Sequence, residues 1–136
     1  MKRTMSEARE MFGLGDTIDA FVTGFEPADE TKGFAGMVGC LEFSCYLRDA
    51  QGNTKPHMIA RVSNIPLDLR KEITDHDENG NPILKKEVYG RVAEIDGQCV
   101  TARALRLKHA VLVNWRPDRD ESTCVMDEDF LKSMIL

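Results

Sequence analysis

The chain has 136 residues, of which 42% are hydrophobic and 30% are charged. These values are typical of one folded domain with its own core, and they exclude wholesale disorder. No apolar run approaches membrane-spanning length, and no apolar stretch like that of a secretory signal follows Lys2 and Arg3. We therefore expect a cytoplasmic protein with no membrane partner and a single domain over residues 1–136.

The net charge of −5 is unevenly distributed along the chain. The segment 85–119 carries eight basic and four acidic residues, whereas 120–136 carries five acidic residues and one basic residue. Overall acidity disfavours a nucleic-acid partner, but a local basic segment is the electrostatic pattern that attracts phosphates. A solvated surface and a polyanion-binding surface both remain open at this point.

The four cysteines and three histidines do not form a recognisable metal-binding pattern. A zinc site takes paired ligands about two to four residues apart from two clusters, and only Cys40 and Cys45 are close in sequence. The segment 75–81 resembles the first half of a calcium-binding loop, but Lys86 stands where the chelating Glu is required. We therefore predict free thiols, a simple hairpin turn at Asn79-Gly80, no metal and no cofactor.

In chain order, the first predicted element is a short helix over about residues 5–12. The pattern Thr4-Met-Ser-Glu7 matches a capping box, and the glycines at positions 13 and 15 end the helix. Residues 1–15 are thus predicted to form an N-terminal helix and its cap.

Three strands are predicted to follow, over residues 16–26, 36–48 and 55–63. The first is rich in Ile, Val, Thr and Phe, and the second alternates apolar and polar residues. Turn residues at 49–53 join the second strand to the third as a hairpin.

The register of this hairpin can be predicted from its two faces. Pairing Arg48 with Lys55 sets Leu41 opposite Val62, Phe43 opposite Ala60 and Cys45 opposite Met58 on the core face. The outer face then gains Tyr46 opposite His57 and Glu42 opposite Arg61, with Ile59 beside them. A single register therefore satisfies both faces.

The rest of the chain is predicted to contain one connecting helix, one hairpin and one terminal helix. One or two helical turns are expected within 64–72, and Asp96-Gly97 predicts a hairpin with strands over 86–95 and 98–113. A change of apolar phase between Ala104 and Leu105 indicates a bulge or bend. Apolar residues at helical spacing from Met126 predict an amphipathic helix near the C-terminus.

This order of elements resembles the oligonucleotide/oligosaccharide-binding (OB) fold over about residues 16–115. The resemblance rests on strand order alone. It implies a mostly β domain, namely a five- to six-stranded antiparallel Greek-key barrel with short N- and C-terminal helices. The barrel would span 16–115, and 116–136 would form an acidic C-terminal segment.

The resemblance also implies a ligand on the outer face of the second and third strands. That face offers one aromatic ring and several cations, the groups that stack on bases and neutralise phosphates in single-stranded DNA or RNA. We therefore predict a non-catalytic nucleic-acid-binding domain, although an ordinary solvated strand face, and a Trp115 that fills the core, are alternatives. The predicted nucleic-acid-binding residues are Tyr46, Arg48, Lys55, His57, Arg61, Arg91, Arg103, Arg106, Trp115 and Arg116.

A protein–protein interaction module is the alternative function. It would act through the acidic surface and the C-terminal helix as an accessory, inhibitor or assembly subunit, of the kind that phages and mobile elements encode. The acidic segment resembles the partner-docking tip of bacterial single-stranded-DNA-binding proteins, but six residues follow it and its pattern is helical. A helix packed on the barrel is the other interpretation. The predicted partner-binding residues are Asp127, Glu128, Asp129, Phe130 and Met134.

No nucleophile elbow, phosphate-binding loop, dinucleotide fingerprint or paired-histidine motif occurs in the sequence. The sequence therefore predicts a protein without enzymatic activity. A hydrolase whose catalytic residues are scattered along the chain is the third function class that we consider.

Overall fold

The computed structural model describes residues 17–29 and 35–135. The helix predicted over residues 5–12 lies outside the described residues. The strands are β1 Ile18–Pro27, β2 Val38–Arg48, β3 Thr54–Val62, β4 Thr74–His76, β5 Pro82–Leu84, β6 Val92–Asp96, β7 Cys99–Val100, β8 Leu107–Lys108, β9 Val111–Trp115 and β10 Val125–Asp127. The helices are α1 Leu67–Ile73 and α2 Glu128–Lys132, and Lys86–Val88 and Glu121–Thr123 each form a 3-10 turn.

The main sheet has the strand order β3-β2-β1-β6-β9, and every pair in this series is antiparallel. The predicted mostly β, mainly antiparallel architecture is therefore confirmed. Along β2, the pairing with β1 ends at Ser44, which lies opposite Phe21. From Tyr46 onward, β2 pairs in parallel with β10, and Val125 lies opposite Tyr46. Among the described residues no hydrogen-bonded pairing joins β9 to β3, so the strands leave an open seam between them.

The predicted register of the β2–β3 hairpin is confirmed for its first half and wrong for its second. Leu41 lies opposite Val62 and Phe43 opposite Ala60, but Ser44 then lies opposite Met58. Ile59 is the extra residue of a β-bulge and is completely buried, so the predicted position of Ile59 on the outer face is wrong. The bulge inserts one residue into β3 and moves each later partner along by one position, so Cys45 faces His57.

The second predicted hairpin is divided into two units. β6 begins only at Val92, and its antiparallel partner is β9, which starts at Val111. The residues between them form a separate hairpin of β7 and β8, here named the β7–β8 hairpin (99–108). The bend predicted near Ala104 is present, since Leu105 and His109 have positive φ angles of 51° and 56° that interrupt the strand.

The C-terminal segment differs from its prediction in its first residues. Val125–Asp127 form β10, so Met126 belongs to a strand rather than to the helix. The helix begins at Glu128, and the apolar side chains at helical spacing, Phe130, Leu131 and Met134, are buried in the core. The segment predicted to follow the barrel thus adds a strand to the main sheet and a helix that packs against the core.

A buried arginine fixes the connection between β3 and α1. The Nη1 group of Arg70 donates to the carbonyl oxygens of Val38 and Gly39 at 2.6 and 2.8 Å, and Nη2 donates to those of Ser63 and Ile65 at 3.0 Å each. Removal of this guanidinium from water lowers its pKa, yet the four carbonyl groups satisfy most of its donors. Arg70 therefore holds the end of β3 against β2.

Candidate nucleic-acid interface

Tyr46 is part of a packed aromatic pair rather than a free stacking platform. Its ring centroid lies 5.3 Å from that of Phe21, and the side chain is half-buried. On the backbone it lies between Pro56 of β3 and Val125 of β10. Much of the ring surface that would stack on a base therefore covers Phe21 instead.

Three of the predicted cations are paired with carboxylates. The Nε group of Arg48 lies 2.7 Å from Asp127 Oδ1. Arg61 lies 3.3 Å from both Glu26 and Glu42. Arg116 lies 3.7 Å from Asp19, 3.3 Å from Glu94 and 3.4 Å from Asp118. Because each carboxylate offsets a positive charge, these three arginines add little local potential for phosphates.

Arg91 and Trp115 form a second packed group. The guanidinium carbon of Arg91 lies 5.8 Å from the centroid of the Trp115 ring, a cation–π geometry. The same indole lies 6.3 Å from the ring of Phe43 in the core and is half-buried. Trp115 thus serves the core in part, while its remaining surface borders a groove at the seam.

The structure brings four of the predicted residues together. The side chain of His57 on β3 reaches the β7–β8 hairpin, where its Nε2 group donates to the carbonyl oxygen of Leu105 at 2.7 Å. β3 and β8 also contact each other. Two residues before His57 along β3 lies Lys55. We name the resulting patch the basic surface; its residues are Lys55, His57, Arg103, Arg106 and Lys108.

The basic surface is assembled from two stretches that contain no acidic residue. Segments 50–67 and 97–117 hold six Lys or Arg residues and neither Asp nor Glu. Lys55, Arg103 and Lys108 are exposed, and Arg106 is half-buried with an Nε group that has no hydrogen-bond partner among the described residues. The ion pairs that neutralise Arg61 and Arg116 lie at other positions of these segments.

Sequence reasoning missed Lys108 as a member of this surface and did not foresee the contact with Leu105. The available signal was the absence of Asp and Glu from 97–117. A charge count over the longer segment 85–119 hides this absence, because it includes four acidic residues outside 97–117. The contact itself depends on the positive φ angle of Leu105, which no sequence pattern indicated.

The predicted partner-binding residues divide into two groups. Phe130 and Met134 are buried, so both belong to the core in this structure. The three acidic residues lie at the start of α2: Asp127 pairs with Arg48 and Glu128 lies 3.7 Å from Lys132. Asp129 is exposed and lines an acidic groove of about 890 Å³, whose lining also includes the first residues of β1 and all of β10.

The four cysteine thiols are free, and all four are buried. Within the described part of the chain, no group of three His, Cys, Asp or Glu side chains is placed to hold a metal ion. Burial raises the pKa of Cys45 to about 12 and that of Cys124 to about 11, so both remain neutral thiols at physiological pH. In the segment that resembled a calcium loop, Asp77 accepts from the backbone of Asn79 and Asn81 in a hairpin turn.

Comparisons with known proteins give no family for this chain. Neither the scan against protein-family models nor the search of curated proteins finds a match. Over residues 17–29 and 35–135, no helix has the length and apolar character needed to cross a membrane.

Proposed function

We propose that this protein binds single-stranded DNA or RNA through the basic surface, without catalysis. The observation that carries the proposal is the hydrogen bond from His57 to Leu105, which joins the β7–β8 hairpin and its three cations to the strand that carries Lys55. Cations drawn from two acid-free segments present a positive patch on a protein of net charge −5. The OB-like strand order is consistent with this ligand class and is part of the same proposal.

The proposed mechanism is charge neutralisation of the phosphate backbone. The exposed side chains of Lys55, Arg103 and Lys108 extend into solvent and can follow a flexible strand. With Arg106, four positively charged side chains are available to contact phosphates. For a single strand this number predicts a slope of roughly −3 in a plot of log binding constant against log salt concentration. Because duplex DNA is stiff and these side chains are flexible and few, we expect the basic surface to prefer single strands.

The test is fluorescence anisotropy with labelled single-stranded DNA and RNA oligonucleotides at several salt concentrations. The variant is Arg103→Glu with Lys108→Glu, and the matched control is Lys71→Glu with Lys86→Glu, which changes the net charge equally at exposed positions elsewhere. We expect the first pair to weaken binding at least tenfold and the control to weaken it less than threefold. Absence of binding at micromolar protein and low salt would refute the proposal.

A second candidate function, binding of a protein partner, is favoured by the acidic groove. Its lining contains five acidic and three basic residues, with Val125 exposed among them. The carbonyl group of Cys124 bonds to the backbone of Tyr46 at 2.8 Å, so the backbone groups of Val125 point away from β2 in the alternating parallel ladder. An extended basic segment could therefore add to the other edge of β10, which has no strand partner among residues 17–29 and 35–135.

Two labelled octapeptides test this second function, one of alternating Lys and Val and one of alternating Glu and Val. If the groove accepts a basic strand, only the first peptide binds, and Asp129→Lys weakens it while Asp68→Lys does not. Equal binding of both peptides, or of neither, would exclude the groove as a charge-selective docking site.

A further inference from the structure

A small groove lies at the open seam, between the end of β3 and β9. It has a volume of about 310 Å³, which is at the lower end of the range of about 300–1,000 Å³ for small-molecule sites. Ile65, Leu69, Leu112 and Trp115 form apolar walls, and Asn64 and Asn114 stand among the polar lining residues. The groove is therefore an apolar slot with amide groups at its rim.

This groove and the basic surface lie along the same seam. His57 contacts Leu105 at one point, and Asn64 lines the groove with Leu112 and Trp115 at another. Both contacts therefore join the same two parts of the chain, 57–64 and 105–115, and occur in the same order along each. Seven residues of extended chain span about 20 Å, a distance that a strand of a few nucleotides can cover.

We propose that the groove receives one base of a single strand whose phosphates lie on the basic surface. This inference rests on the proposed function and assigns a second part of the same ligand. Among the described residues, those that line the groove include Glu72 and neither Lys nor Arg, so a phosphate is disfavoured there. A planar base suits an apolar wall that contains an indole, because bases pack favourably against aromatic side chains.

The groove is held open by contacts that do not require a ligand. Arg70 donates to the carbonyl oxygens of Ser63 and Ile65, which fixes the wall that follows β3. On the opposite wall, the ring of Phe43 lies 6.3 Å from that of Trp115 at a tilted angle, and the guanidinium carbon of Arg91 lies 5.8 Å from the indole centroid. These two contacts hold the indole in place. A base entering between fixed walls avoids the cost of ordering them. The amides of Asn64 and Asn114 provide both donors and acceptors for its edge.

Trp115 is the single tryptophan of the chain, so its fluorescence reports on the groove directly. Unlabelled oligodeoxycytidine and oligodeoxyadenosine of eight nucleotides are titrated into the wild-type protein, with labelled versions followed by anisotropy in parallel. We expect tryptophan quenching with the same midpoint as the anisotropy change. An anisotropy change without quenching overturns the groove assignment and leaves the proposed function standing. No change in either signal overturns both.

A groove-filling variant provides the second test. Asn64→Phe places a ring in the groove at an exposed position, and Asn79→Phe makes the same change in the β4–β5 turn. We expect Asn64→Phe to weaken binding at least fivefold and to abolish the quenching, with Asn79→Phe like wild type. Circular dichroism and thermal melting establish that both variants are folded. A folded Asn64→Phe protein that binds and is quenched as wild type would overturn the inference.

Discussion

The Nε2 group of His57 donates a hydrogen bond to the carbonyl oxygen of Leu105 at 2.7 Å, 48 residues away along the chain. This bond joins an edge strand to a short hairpin whose own two strands contain only two residues each. Two-stranded units of that size are marginal alone. The hairpin therefore needs support from outside, which it receives from His57 and from the C-terminal segment, where the backbone N–H of Val100 donates to the carbonyl oxygen of Met134 at 3.0 Å.

We expect His57→Ala to lower the free energy of unfolding by about 1 kcal/mol, the usual net contribution of one hydrogen bond. The larger effect is expected on the β7–β8 hairpin, because its carbonyl group at Leu105 loses a partner. Amide hydrogen exchange measures this: protection should fall at Thr101 and Leu107 and remain unchanged at Phe43 in β2. Equal loss of protection at all three would show that the bond stabilises the whole fold instead.

We expect Arg70→Met to destabilise the protein by about 2–4 kcal/mol, because a buried side chain that satisfies four carbonyl groups is removed. Urea unfolding followed by circular dichroism gives the difference. Lys71→Met, at the adjacent exposed position, is the control and should change stability by less than about 0.5 kcal/mol. Similar values for the two variants would contradict the anchoring role of Arg70.

Stability is expected to decrease in alkaline solution because of Cys45. Its pKa is raised by burial from 9.0 to about 12. Between these values the unfolded chain loses the thiol proton while the native protein keeps it, so the free energy of unfolding falls as pH rises. At pH 10.5 the expected loss is about 2 kcal/mol.

The measurement compares wild type with Cys45→Val at pH 8 and pH 10.5 by urea unfolding. Between pH 8 and pH 10.5, the free energy of unfolding of the variant should fall by about 2 kcal/mol less than that of wild type. The effect of the substitution on packing is the same at both pH values, so it cancels in this comparison. Between pH 6 and pH 8 the two proteins should show the same pH dependence. Parallel curves up to pH 10.5 would mean that Cys45 does not contribute to alkaline unfolding.

The C-terminal helix is expected to stabilise the fold. Phe130→Ala and Met134→Ala remove side chains from the core and should cost about 3–5 and 2–5 kcal/mol. Asp129→Ala, at an exposed neighbour, should cost less than about 0.5 kcal/mol. Thermal and urea unfolding of the three variants test this. Phe130→Ala with wild-type stability would show that the helix does not depend on its packing.

Local patterns predicted several elements correctly. The alternation in β2, the turn at 49–53 and the apolar spacing around Phe130 depend on near neighbours, so they can be identified from a single sequence. The pairing of Leu41 with Val62 followed from the same alternation. The helix predicted within 64–72 is present as Leu67–Ile73.

Other features depend on backbone geometry that the sequence does not specify. The bulge at Ile59 arises where one residue of β3 turns into the core, and either register would have satisfied the alternation of β2. The separation of the β7–β8 hairpin depends on the positive φ angles of Leu105 and His109, at residues that rarely signal such a conformation. The outer-face prediction around Tyr46 failed to foresee its contact with Phe21 for a related reason: the partner comes from another strand.

The sequence by itself determined the strand-rich class, the order of the main strands and the supply of cations without nearby acidic residues, because each is a property of composition or of short-range pattern. Only the tertiary structure decided which cations are available. Arg48, Arg61 and Arg116 meet carboxylates brought by other elements, while Lys55, Arg103 and Lys108 are exposed on a strand and a hairpin that contact each other. Charge interactions act through space, and folding sets those distances between residues far apart in the chain.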